Sequence, residues 1–148
     1  VESLVFRAKT TLKEKLKSFS FVKIYKPVPY EELNDLLCSA DAHFLFQKTN
    51  VVDTVMPSKI LGMMASARPS IITGSSSSEV ATIINQSQGG FYFSDNDSNK
   101  VFETIITLKK DSEKCLESGN KARDFILNKF SEESILTSFY NKINDVLK

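Results

Sequence analysis

Residues 52–74 run Val52-Asp53-Thr54-Val55-Met56-Pro57-Ser58-Lys59-Ile60-Leu61-Gly62-Met63-Met64-Ala65-Ser66-Ala67-Arg68-Pro69-Ser70-Ile71-Ile72-Thr73-Gly74. A polar stretch runs into Pro57, where a helix can begin because the missing N–H of proline would have no partner there anyway. An apolar helical run follows, Arg68-Pro69 stops it, and Ser70 to Thr73 reads as a buried strand. The order loop, helix, strand sets polar groups and unpaired backbone N–H groups at the opening of a helix inside an α/β core. Folds of that kind hold anions and cofactors at such places.

Outward from this stretch the pattern repeats. Ala42 to Phe46 is a continuous apolar run, expected of a parallel strand covered on both faces, and residues 47–54 leave it as a polar loop. After Gly74 come four serines, then Glu79 with Val80, Ala81, Ile83 and Ile84 at helical spacing; Ser76 followed by Glu79 fits a capping box. Gly89-Gly90 breaks that helix before the strand Phe91 to Phe93, and residues 95–98 form a turn able to cap what comes next. From Asn99 the spacing predicts three helices. Their expected inward residues are Val101, Ile105 and Leu108; then Leu116, Ala122 and Phe125; then Ile135, Phe139, Ile143 and Val146.

Toward the start, Val5, Ala8, Leu12, Leu16 and Phe19 predict an amphipathic helix with outward lysines. Phe21 to Tyr25 alternates as a strand ending before Pro27, and Glu31 to Ser39 is a short helix with Leu33, Leu36 and Leu37 inward. No strand and glycine turn precede Val1, so the chain is expected to be a fragment cut after the first strand of its domain. The alternation of strand and helix, closed by helices, predicts an α/β domain layered around a mainly parallel sheet. No internal repeat, heptad or low-complexity linker interrupts it.

Composition narrows the functional classes. A length of 148 residues suits one domain, and 41% hydrophobic content is enough for a real core. Nineteen Lys and Arg against 18 Asp and Glu leave no general basic surface, which argues against nucleic acid as a partner. Cys38 and Cys115 lie in different predicted helices without metal-ligand spacing and read as reduced, partly buried residues, so a reducing, cytoplasmic setting is the default. No apolar run has the length of a membrane span. Arg7, Lys9, Lys13, Lys15 and Lys17 make the first helix basic and leave peripheral membrane contact open.

Candidate chemistry centres on the opening stretch. The Met56-Pro57-Ser58-Lys59 turn can receive a phosphate or diphosphate through helix amides, the serine hydroxyl and the lysine charge; a capped structural helix start accounts for the same residues. The serine run can wrap a ligand or be a flexible loop with an ordinary cap, and Glu79 can hold a sugar or ribose hydroxyl or simply complete the cap. Asp53 sits at a strand exit, where ligands of parallel sheets bind. His43, inside an apolar strand, reads as a hydrogen-bonded core histidine with no companion for a metal site. Asp41 reads as a cap on the preceding helix, and Arg68 as a cation at a helix C-terminus with phosphate binding as the other use. Walker, nucleophile-elbow and dinucleotide motifs do not occur.

The blocks Ser39-Ala40-Asp41-Ala42, Met56 to Ala65, Arg68 to Ile72 and Ser78-Glu79-Val80, with Gly119 to Arg123 and Phe130-Ser131 near the end, resemble the C-terminal, nucleotide-sugar-binding domain of the family 4 glycosyltransferases. The likeness covers nearly the whole chain. Within that family it resembles most the bacterial transferases of O-antigen and capsule assembly, including those assigned to N-acetyl-L-fucosamine. The resemblance implies a Rossmann-like three-layer α/β/α domain, the C-terminal half of a GT-B fold. It also implies transfer of a sugar, with retention, from a nucleoside diphosphate, UDP first among candidates, to a saccharide or polyisoprenoid-linked acceptor at the inner membrane face.

By position, Lys26, Pro27 and Val28 resemble the segment that reads the nucleobase, and Met56, Pro57, Ser58 and Lys59 the diphosphate end. The glutamate pair that flanks this turn in many relatives falls on Thr54 and Gly62; Asp53 is a partial substitute for the first, whereas Gly62 supplies no carboxylate for the ribose. No metal or other cofactor is implied, the catalytic residues are left unassigned, and the acceptor side belongs to a separate N-terminal domain toward which the last helix, from about Glu132, is expected to pack. A non-catalytic nucleotide-binding or interaction domain, and a UDP-sugar 2-epimerase of the same architecture, are the competing readings.

Overall fold

The computed structural model describes residues 14–47, 58–94 and 97–147, and the chain divides into two compact units, Val1–Leu33 and Asn34–Lys148. In the first unit residues 14–16 are helical, the chain turns at 17–18, and a 3-10 turn spans Tyr30–Glu32. The Phe19 and Phe21 rings meet at 5.5 Å between centroids. The strand expected at Phe21 to Tyr25 does not form: these residues pair with no ladder, and Phe21 and Tyr25 are exposed. Their alternation is real, since Val22 and Ile24 are half-buried between exposed neighbours. Alternation orients side chains, but only a partner for the backbone groups makes a strand.

The elements that follow are α1 (Leu33–Cys38), β1 (His43–Phe46), α2 (Ser58–Ala65), β2 (Ser70–Thr73), α3 (Glu79–Ser87), β3 (Gly90–Phe93), α4 (Ser98–Lys110), α5 (Ser112–Phe130) and α6 (Glu132–Val146). The strands form a parallel sheet in the order β1-β2-β3, with His43, Ser70 and Gly90 in one row and Leu45, Ile72 and Tyr92 in another. The chain is thus a mixed α/β protein with a parallel sheet, as the strand and helix alternation predicts.

Side chains alternate across the sheet, so Leu45, Ile72 and Tyr92 share one face. That face meets Ile60, Met63 and Met64 of α2, Val80, Ile83 and Ile84 of α3, and Ala122, Phe125 and Ile126 of α5. Ile60, Met64, Ile72, Val80 and Ile84 are fully buried, each worth about 1.5–3 kcal/mol of apolar transfer. The opposite face carries Phe44, Ile71 and Phe91, and the rings of Phe44 and Phe46 stack at 6.2 Å.

Two glycines let α5 approach this layer. A Cβ on Gly119 would collide with the carbonyl oxygen of Ala67, and one on Gly89 with the Ala122 side chain. Gly89 therefore serves contact, while the left-handed turn that ends α3 falls on Gln88, at φ 54°. The six residues of α1 are held by groups beyond it: Arg68 donates from Nε and Nη2 to the Cys38 carbonyl at 3.2 and 2.9 Å, and the Ser39 hydroxyl donates to the Leu36 carbonyl at 2.8 Å. Arg68 does act on a helix C-terminus, that of α1 and not of the helix it follows.

Some inward faces read from spacing are outward in the fold. Leu33 and Leu116 are exposed, and α6 buries no residue, leaving Ile135, Phe139, Ile143 and Val146 exposed. Periodicity identifies an apolar face; it does not identify what lies against it.

Candidate functional site

Ser66, just past α2, bonds His43 at the start of β1, so α2 ends at the amino side of the sheet. Its eight residues span about 12 Å at 1.5 Å per residue, which sets Ser58 and Lys59 toward the carboxyl side. Both are exposed. The opening of α3 lies on that side too, because Ser78 meets Tyr92 near the carboxyl end of β3. Two helix openings thus sit where open parallel sheets carry their ligands.

Glu79 is exposed in the first turn of α3, where a carboxylate complements the helix dipole. The cap is not the expected box. Ser78 Oγ accepts the Ala81 N–H at 3.1 Å, and Ser78 N–H in turn donates to the Ser75 carbonyl at 3.0 Å. The turn made by Ser75 to Ser78 moves the helix start two residues beyond Ser76, so Glu79 is its first residue and cannot reach back as a box requires. The serine run is an ordered turn, with Ser75 Oγ 2.8 Å from Ser77 Oγ.

Tyr92 closes this corner. Its hydroxyl lies 2.9 Å from the Ser75 carbonyl, 2.9 Å from Ser78 Oγ and 3.3 Å from Gln47 Oε1 at the exit of β1. Sequence reasoning passed over both Tyr92 and Gln47. The available signal was a tyrosine between two phenylalanines in a strand, since a phenol carried into a core needs hydrogen-bond partners.

Gly62 lies within α2, and a Cβ there would come 3.3 Å from Leu37 Cδ1, so the position faces α1. Lys26 and Pro27 are exposed and Val28 half-buried in the first unit. Asp53, Thr54, Met56 and Pro57 lie outside the described residues.

His43 is a core residue, as expected: it is 9% exposed and 2.8 Å from Ser66 Oγ. Burial, reinforced by the nearby Arg68 cation, lowers its pKa to about 4. The carboxylate of Asp97, the residue before α4, makes no cap bond; it accepts the Ser94 hydroxyl at 2.9 Å and pairs with Lys100 at 3.3 Å, contacts that lower its pKa. Cys38 and Cys115 are free thiols, and Cys115 donates to the Asp41 carbonyl at 3.4 Å; burial raises its pKa, with Asp41 adding to the shift.

Among the described residues no cluster of His, Cys, Asp or Glu could hold a metal ion, and no helix is long and apolar enough to cross a membrane. Compared with protein-family models, with curated proteins and with solved structures, the chain matches none.

Proposed function

We propose that this chain is the donor-nucleotide-binding half of a retaining GT-B glycosyltransferase, with a nucleoside diphosphate, UDP first, held at the opening of α2. The observation that carries the reading is the exposed Ser58-Lys59 pair opening a helix on the carboxyl side of a parallel sheet. The Pro-Ser-Lys block and its family resemblance supply the ligand class. In sugar transfer, negative charge grows on the departing diphosphate. An ammonium and helix amides aimed at it stabilise the transition state more than the bound donor, which is what lowers a barrier. The acceptor would bind a separate domain, and the exposed apolar side of α6 is available to pack on it.

That same α6 face favours a second reading, a non-catalytic interaction domain. A 2-epimerase has less support, because the chain's one histidine is buried against Ser66 and not directed at a sugar.

Calorimetric titration of this chain with UDP, GDP and UMP separates the readings. Donor binding predicts a UDP affinity that falls sharply for UMP, and a roughly tenfold weakening in Lys59→Ala with an unchanged melting temperature, as loss of one charge-assisted contact implies. Equal UDP affinity in Lys59→Ala removes that lysine from the site. No binding of any nucleotide shifts the weight to the interaction domain.

A further inference from the structure

Helix α6 is mounted with its polar side toward α5. Ser131 Oγ accepts the Ser134 N–H at 3.3 Å, and Ser134 Oγ donates to the Asn128 carbonyl at 2.7 Å, which ties the first turn of α6 to the last turn of α5. From there Ser134, Thr137, Ser138 and Asn141 line an open groove with Asn128. The half-buried residues of α6 are Ser134 and Asn144, both polar. The apolar side points away: Ile135, Leu136, Phe139, Tyr140 and Ile143 are between 42% and 65% exposed, and Val146 and Leu147 more so. A surface helix ordinarily does the reverse and buries its apolar stripe.

The stripe is large. At roughly 200 Å² for a large side chain, these seven residues present on the order of 900 Å² of surface. The largest apolar patch on a monomer is about 300–600 Å², whereas each partner in a stable pair gives up about 800 Å². This one helix face therefore has the area of one side of a dimer interface.

Charge decides between occupants. Glu132, Glu133 and Asp145 outnumber Lys142 along the helix, so it lacks the basic face by which amphipathic helices hold anionic lipid. Between Ser134 and Asn144 the one charge is Lys142. In a two-fold interface a patch must complement itself, so like charges meet; a nearly neutral stripe escapes that repulsion. We propose that the occupant is a second copy of this chain. Two α6 helices pack antiparallel and cross near Phe139 and Tyr140, with Ile135 and Leu136 of one copy over Ile143 of the other. Opposed helix dipoles favour that alignment, and the aromatic rings at the centre supply the anchors. The inference stands independently of the nucleotide reading.

Sedimentation equilibrium of the whole chain, from about 1 to about 300 μM, tests it, with a monomer–dimer equilibrium of micromolar Kd expected. Phe139→Asp and Ile143→Asp each bring a carboxylate to the contact from both copies, and each is expected to weaken the dimer at least about a hundredfold. Both positions are exposed, so the packing inside the monomer is spared. Asn141→Asp adds the same charge on the groove side and should leave Kd within about twofold.

Should Phe139→Asp fail to fold, Ile143→Asp decides on the same criterion. A dimer that survives both Phe139→Asp and Ile143→Asp overturns the proposal, because the copies then meet elsewhere. A chain that stays monomeric throughout the range overturns it too and leaves the α6 face to a separate domain. A monomer that instead floats with phosphatidylcholine vesicles, and loses this in Phe139→Asp, overturns it in favour of lipid.

Discussion

His43 Nε2 lies 2.8 Å from Ser66 Oγ, and that serine gives its own proton to the Met63 carbonyl at 2.7 Å, so the imidazole is the donor of the pair. Nε2 therefore carries a proton, and near neutral pH it is the ring's only one, because a second would have to be carried inside the fold near Arg68. Burial and that cation hold the pKa at about 4, below the ordinary 6.5. The unfolded chain takes up this proton first, so the contribution is complete above pH 6.5 and is lost as pH falls toward 4. At about 1.4 kcal/mol per pKa unit it amounts to about 3 kcal/mol. Urea unfolding measured from pH 7.5 down to 4 should show the decline, and His43→Gln should show a shallower one. Parallel profiles would assign the whole decline to carboxylates.

This histidine was legible in the sequence because its surroundings were: an apolar strand leaves a lone imidazole little to do but find a local partner. The same holds for β1 to β3 and their helices, where Pro69 and the glycines punctuate long apolar runs. What failed depends on partners distant in sequence. Phe21 to Tyr25 alternates without a ladder, and Ile135, Phe139 and Ile143 form an apolar stripe with nothing buried beneath it. The Tyr92 junction joins residues 45 positions apart, and no spacing rule reaches that far. Of the expected site, Ser58, Lys59 and Glu79 fall at helix openings on the carboxyl side of the sheet, whereas Gly62 turns toward Leu37.

Gly119 inverts a rule of helix stability. In an exposed helix interior, replacing glycine by alanine stabilises by about 1 kcal/mol, because the backbone has less freedom to lose. Here the added methyl would run into the Ala67 carbonyl, part of the turn between α2 and β2, and α5 would have to retreat from its contact with α2. Overpacking of this kind costs about 1–3 kcal/mol. Gly119→Ala is thus expected to lower stability in chemical denaturation, while Asn120→Ala, at an exposed position one residue along the same helix, should raise it by a few tenths. A stabilised Gly119→Ala would mean that α5 does not pack this closely.

The serine run offers a comparison in which sequence and structure disagree about a single hydroxyl. A capping box would make Ser76 the important residue, with Glu79 as its reciprocal partner. In the fold Ser78 takes the Ala81 N–H, is itself buried, and shares a hydrogen bond with the Tyr92 hydroxyl at 2.9 Å, whereas Ser76 is exposed. Loss of an N-cap hydroxyl costs about 1 kcal/mol, and the tyrosine loses a hydrogen-bond partner in the same substitution, which adds about 1 kcal/mol more. Ser78→Ala is therefore expected to cost about 2 kcal/mol, and Ser76→Ala less than about 0.5 kcal/mol, as for other surface changes. Adding Tyr92→Phe to Ser78→Ala should cost less than adding it to the wild-type chain, because the bond they share is already gone. Strict additivity between the two would show that each hydroxyl acts alone, and reversed ranks for Ser76 and Ser78 would restore the capping box.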